Sequence, residues 1–174
     1  DPRSFASPDA GGVLRPNFTN AVIEDVSSPS CCVFYCDWAA GAPIVPWPPD
    51  ATPAQRRFRD ACALNERRGG TLGITGLQQV TLQAPDVSAA EQAWRKVLGV
   101  AHGPLQLAPG IGLAIEAGPR HRIGSLHLGV RDGAWVRAHL AGRQWLGPCS
   151  DDGAMRLDAP ACAGLSLWLV PDPR

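Results

Sequence analysis

Gly76-Leu77-Gln78-Gln79-Val80-Thr81-Leu82-Gln83-Ala84-Pro85-Asp86 reads as a strand that runs into an acidic turn and then a helix. Gly124-Ser125-Leu126-His127-Leu128-Gly129-Val130-Arg131-Asp132 repeats the pattern 46 residues later, again ahead of a short helical stretch. Two strand–turn–helix units at that spacing, each trailed by strand-like segments, point to duplicated modules that bury one another's faces. A concave sheet surface between them is where chemistry is expected.

Around this echo the punctuation is consistent. Ser88 stands three residues before Glu91, a capping-box spacing. The helix that follows presents Ala90, Trp94, Val97 and Leu98 on one side and stops at Gly99. Leu105-Gln106-Leu107 and Ile111 to Glu116 read as two strands around Pro109-Gly110. In the second unit Trp135, Val136, His139 and Leu140 mark a helix that ends at Gly142. Gln144-Trp145-Leu146, Met155-Arg156-Leu157 and 165–170 supply three short strands. From residue 73 onward the order is taken as strand–helix–three strands, twice. The expected class is α+β: paired βαβββ modules forming a curved, mostly antiparallel sheet around a cleft. Trp94 and Trp135 are expected to anchor their helices to it.

Upstream, residues 1–11 read as an irregular lead-in. Val13-Leu14 and 20–24 are strand-like, and Cys31-Cys32-Val33-Phe34-Tyr35-Cys36-Asp37-Trp38 has the length and aromatic content of a buried strand. Residues 39–49, with four prolines and a glycine, form a linker. Thr52-Pro53 opens a helix through Arg56, Phe58, Ala61, Cys62 and Leu64, which stops near Gly69-Gly70. The expected divisions are 1–49, 50–72 (a helical connector) and 73–174. Asp1-Pro2-Arg3-Ser4 has neither an initiator Met nor a signal-peptide order, so a truncated or partly disordered N-terminus is expected.

Sixteen basic residues balance sixteen acidic ones, which removes the attraction on which nucleic-acid binding depends. Nothing approaches the roughly 20 apolar residues of a membrane span. A cytoplasmic location is expected, with neither nucleic acid nor membrane as partner. Six cysteines, two of them adjacent, suit buried free thiols better than a disulfide framework. Asn17-Phe18-Thr19 matches a glycosylation sequon, which matters only in a secretory compartment.

The stretch 76–90, followed by Leu98-Gly99, resembles the opening module of a glyoxalase/bleomycin-resistance/dioxygenase protein, the vicinal oxygen chelate superfamily. The resemblance covers about residues 73–170. Residues 10–38 resemble the closing strands of a preceding module, and complete the 1–49 segment with its Pro-rich linker. Metalloenzymes of that superfamily place a His or Gln on a module's first strand and a Glu near the end of a last strand. The resemblance therefore implies Gln79 and Glu116 as metal ligands.

The second module departs from the pattern. With Asp132 set against Asp86, Ser125 takes the ligand position and His127 lies two residues further, about 6–7 Å along the same face. Ser166 and Trp168 stand where a carboxylate is wanted. Gln79, Glu116 and His127 could hold one divalent ion that polarises a carbonyl, with Glu116 and His127 as catalytic residues. Without a metal, Gln79, Thr81, Gln83, Ser125, His127 and Trp168 line a polar pocket.

Buried and unpaired, Glu116 would be costly, so it needs a cation, a metal or solvent. The favoured reading is a glyoxalase-like protein that binds a small, partly apolar carbonyl- or carboxylate-bearing molecule without an intact metal centre. The alternatives are a metal-dependent lyase, isomerase or dioxygenase, and a non-catalytic dimerisation or scaffold module. If an N-terminal module precedes these residues, the missing donors would come from it or from the second subunit of a homodimer.

Overall fold

The computed structural model describes residues 2–39, 52, 54–55, 58–59, 62–63, 69–162 and 165–172. The chain divides into two compact units, 1–67 and 68–174.

In the first unit, β1 (Arg3–Pro8), β2 (Leu14–Val22) and β3 (Phe34–Trp38) form an antiparallel sheet in that order. The lead-in expected to be irregular is therefore largely a strand. Its hairpin is set by Asp9, whose Oδ1 accepts from the backbone of Gly11 and Val13, and by the left-handed Gly12. Phe5 pairs with Phe18 and Phe18 with Trp38; the first two rings stack at 4.7 Å, and the Trp38 ring meets Phe18 tilted, at 5.0 Å.

The expectation of a buried aromatic strand is not met. Phe34, Tyr35 and Trp38 on β3 are all at least half exposed. The sequon does not present its asparagine either, because Asn17 is buried and its Nδ2 donates to Ser7 Oγ at 2.5 Å. All six cysteines are free, and none is fully buried. Ala54, Gln55, Phe58, Arg59, Cys62 and Ala63 are helical. Thr52 caps them reciprocally: its Oγ1 accepts from Gln55 N, and Gln55 Oε1 accepts from Thr52 N. Pro53, Arg56, Ala61, Leu64 and the linker at 40–49 lie outside the described residues.

The second unit is one seven-stranded sheet. Its strands are β4 (Ile74–Ala84), β5 (Gln106–Ala108), β6 (Ile111–Ala117), β7 (Arg122–Val130), β8 (Leu146–Cys149), β9 (Met155–Leu157) and β10 (Ser166–Pro171). Helix α1 (Val87–Leu98) follows β4, and α2 (Gly133–Gly142) follows β7. The spatial order is β5-β6-β4-β7-β10-β9-β8. Each module's first strand pairs in parallel with its own last strand, β4 with β6 and β7 with β10. The two first strands pair antiparallel with each other at the centre, and every remaining pair is antiparallel.

This is an α+β fold with the paired-module order expected from the repeat, with one correction. The first module has two strands after its helix rather than three. The chain after Gly99 carries a left-handed Gly103 and then Pro104, which lacks a backbone donor, and it stays irregular up to β5. Arg95 Nη1 fastens that stretch by donating to Gly103 O at 2.9 Å.

The echoed acids are the helix caps. Asp86 Oδ1 accepts from Ala89 N and Asp132 Oδ1 from Trp135 N, both at 2.9 Å. Ser88 is thus inside the first turn of α1 and not its cap, because Asp86 takes the orphan amide one turn ahead. Val136 and Leu140, four residues apart on α2, pack with Val130, Met155 and Leu169 into a fully buried cluster. Trp94 anchors α1 as expected, whereas Trp135 is 45% exposed and stacks on His139 at 4.8 Å. Helix-side packing fixes the register of β4, β7 and β10, and so decides which side chains meet on the opposite face.

Candidate functional site

Strand alternation sends Val80 and Leu126 to one face and Gln79, Thr81, Ser125 and His127 to the other. The β4–β7 register sets Gln79 opposite His127 and Thr81 opposite Ser125. Trp168 of β10 is the next neighbour of His127, and Ser166 the next neighbour of Ser125. Arg156 of β9 pairs with Trp168. One row across the sheet is therefore Gln79, His127, Trp168 and Arg156. The adjacent row is Thr81, Ser125 and Ser166.

Two hydrogen bonds bind the rows together. Gln79 Nε2 donates to Thr81 Oγ1 at 3.2 Å. Ser125 Oγ and His127 Nε2 lie 3.2 Å apart, with the donor set by the imidazole tautomer. These are equivalent i,i+2 pairs in the two modules, since 46 residues separate Gln79 from Ser125 and Thr81 from His127. Thr81 is 1% exposed and Ser125 is also buried, so both hydroxyls depend on these partners. Gly112 is the β6 neighbour of Gln79, and a Cβ there would make only ordinary contact with the amide, 3.8 Å from Oε1.

Burial holds the His127 imidazole below its ordinary pKa of 6.5, while the carboxylates of Glu116 and Asp152 pull in the opposite direction. At neutral pH the ring is therefore mainly the free base. Trp168 covers one side of it, with ring centroids 6.1 Å apart and planes within 21°. Asp152 was not singled out by the sequence. It sits in the turn between β8 and β9, where Ser150 Oγ donates a short hydrogen bond to its Oδ1 and Ala154 N a longer one of 3.2 Å. Its carboxyl is held below the usual range first by the Ser150 bond, then by Ala154.

Gln83 and Glu116 lie elsewhere on the face. Glu116 is exposed and pairs with Gln83, four residues from Gln79, or about 13 Å along the strand. Solvent therefore meets its need for a partner. Gln83 is wedged where a Cβ on Gly118 would come within 2.7 Å, and its Oε1 accepts from Arg122 Nε at 2.6 Å. Gln79 and His127 are thus gathered, while Glu116 belongs to a separate Glu116–Gln83–Arg122 line. A three-donor metal site needs all its ligands at about 2 Å from one point. The backbones of Gln79 and Glu116 lie too far apart along the sheet for an evident common point, and among the described residues no group of three His, Cys, Asp or Glu side chains is placed to hold a metal ion.

Ser166 and Arg156 also border a cleft of about 450 Å³ where the chain passes from β9 to β10, lined further by Leu157, Asp158, Cys162 and Leu165. Among the described residues no helix is long and apolar enough to cross a membrane.

No family model matches the chain, and no curated protein matches it in sequence. Among solved structures it is similar to methylmalonyl-CoA epimerase from Mycobacterium tuberculosis, at 13% identity and a TM-score of 0.47, over 60% of this chain and 93% of that one. It is also similar to a variant of the Streptomyces coelicolor methylmalonyl-CoA epimerase, solved in complex with 2-nitronate-propionyl-CoA. That match has 14% identity and a TM-score of 0.43, over 58% of this chain and 99% of that one.

Proposed function

We propose that the second unit binds a small, partly apolar molecule bearing a carbonyl or carboxylate on the polar face of its sheet, without a metal centre. The observation that carries this reading is the alignment of Gln79, His127 and Trp168 across three adjacent strands. Gln79 gives one amide hydrogen to Thr81 and keeps a second for a ligand oxygen. His127, mainly unprotonated at neutral pH, accepts or shares a proton beside it. Trp168 supplies the apolar surface on which the rest of the molecule lies. In this reading the sheet curves around the ligand, residues 73–174 form the binding domain, and residues 1–49 close a neighbouring module.

The reading is tested by titrating chelator-treated protein with short keto acids and aryl ketones, by calorimetry and thermal shift. Saturable binding without added metal, weakened at least 10-fold in both Gln79→Ala and His127→Ala, is expected. Binding that appears only with a stoichiometric divalent ion favours the metal-dependent alternative. No binding under either condition favours a scaffold.

A further inference from the structure

The row that begins at Gln79 and His127 ends on a cation. Arg156 pairs with Trp168 on β9 and lines the cleft that also takes in Ser166. Its guanidinium is held in a fork by one carboxylate: Nε donates to Asp158 Oδ1 at 2.7 Å and Nη2 to Oδ2 at 3.0 Å. Asp158 is itself fixed. Its backbone N–H donates to Trp145 O at 2.8 Å, and its carboxylate fills the space left by Gly147, where a Cβ would lie 2.7 Å away.

The clamp uses two of the five guanidinium hydrogens and leaves three. An ion pair this exposed adds little to stability. Its effect is on geometry, since it presents a pre-oriented planar donor set among the residues that line a cleft of small-molecule volume. Of the nearby acids, Asp152 is occupied by Ser150 and Ala154, and Glu116 lies beyond His127, on β6.

We infer that Arg156 is the carboxylate-recognising residue of this face, and that the ligand carries its carboxylate apart from the group held by Gln79 and His127. β7 and β9 are two strand spacings apart, so the two polar ends of the ligand sit about 10 Å from each other. Trp168 lies between them, so the spacer is apolar. The ligand class is a straight-chain or aryl monocarboxylate with a remote carbonyl. This inference rests on the binding-face reading above.

Calorimetric titration with 7-oxooctanoate and with its primary amide separates the two readings. The wild type is expected to bind the acid at least 10-fold more tightly than the amide. Arg156→Met is expected to bind both equally, at the affinity of the amide, with circular dichroism unchanged. Arg156→Lys, which keeps the charge but loses the fork, falls between. An acid preference that survives in Arg156→Met, or that is absent from the wild type, overturns the inference. If the amide still binds and is lost in Gln79→Ala, the binding face stands without Arg156. If neither compound binds, both readings fall.

Discussion

Gln79 and His127 face each other across the β4–β7 pair although they occupy different positions within their own modules. Gln79 lies seven residues before its cap Asp86, and His127 five before Asp132. In a side-by-side alignment that offset takes His127 away from the ligand position. Antiparallel pairing reverses the outcome. The axis relating the modules passes between Val80 and Leu126, so a residue one step before it on β4 meets one a step beyond it on β7. The imidazole is brought beside the amide by the very displacement that seemed to separate them.

Acid sensitivity follows from that placement. The folded His127 has a pKa below the ordinary 6.5, so between neutrality and mild acid the unfolded chain binds the proton more readily. Its contribution is fully present above pH 6.5 and is lost as pH falls through the lower folded value. Urea unfolding at pH 7.5 and 5.0 is expected to show a larger loss of stability in the wild type than in His127→Gln. Equal losses would place the acid sensitivity in other groups, such as Asp152 or Asp158, whose carboxyls are also held low.

The two helix caps make a paired prediction. Asp86→Ala and Asp132→Ala each remove one side-chain acceptor from a first-turn amide. Each is expected to cost about 1 kcal/mol. The caps serve separate helices, so the double substitution should cost close to the sum. Denaturant midpoints of the four proteins check this.

The ends of the helices differ, and the difference can be measured. Helix α1 ends on the left-handed Gly99, which suits that conformation. After α2 the left-handed position is taken by Gln144, at φ 59°, rather than by Gly142. A side chain there is strained by about 1 kcal/mol. Gln144→Gly is expected to raise stability by somewhat less than that, because glycine also loosens the unfolded chain. A drop in stability would mean that the Gln144 side chain makes a compensating contact.

Much of the second unit was legible because its elements are punctuated locally. Pro85-Asp86 and Asp132 mark helix starts, Gly99 marks a stop, and alternation along 76–84 separates two faces. The missing strand of the first module depended on Gly103 and Pro104, whose effect is an absence of pairing rather than a positive pattern. In the first unit, β1 carries little β-pattern of its own and is held by pairing with β2. The exposure of Phe34 and Tyr35 likewise depends on what packs against them. At the site, Gln79, Thr81, Ser125, His127 and Trp168 were visible as face-sharing residues. The separation of Glu116 from Gln79 was not, because strand register is a tertiary property. Asp152 and Arg156 escaped for the same reason.

The central claim is that Gln79 and His127 together form a metal-independent binding site. The most direct measurement follows the His127 imidazole resonances by NMR while chelator-treated protein is titrated with 7-oxooctanoate. A saturable shift at His127, abolished in Gln79→Ala and unchanged by added divalent ions, is the expected result. No shift without metal, or a shift restored only by one equivalent of a divalent ion, would contradict the claim.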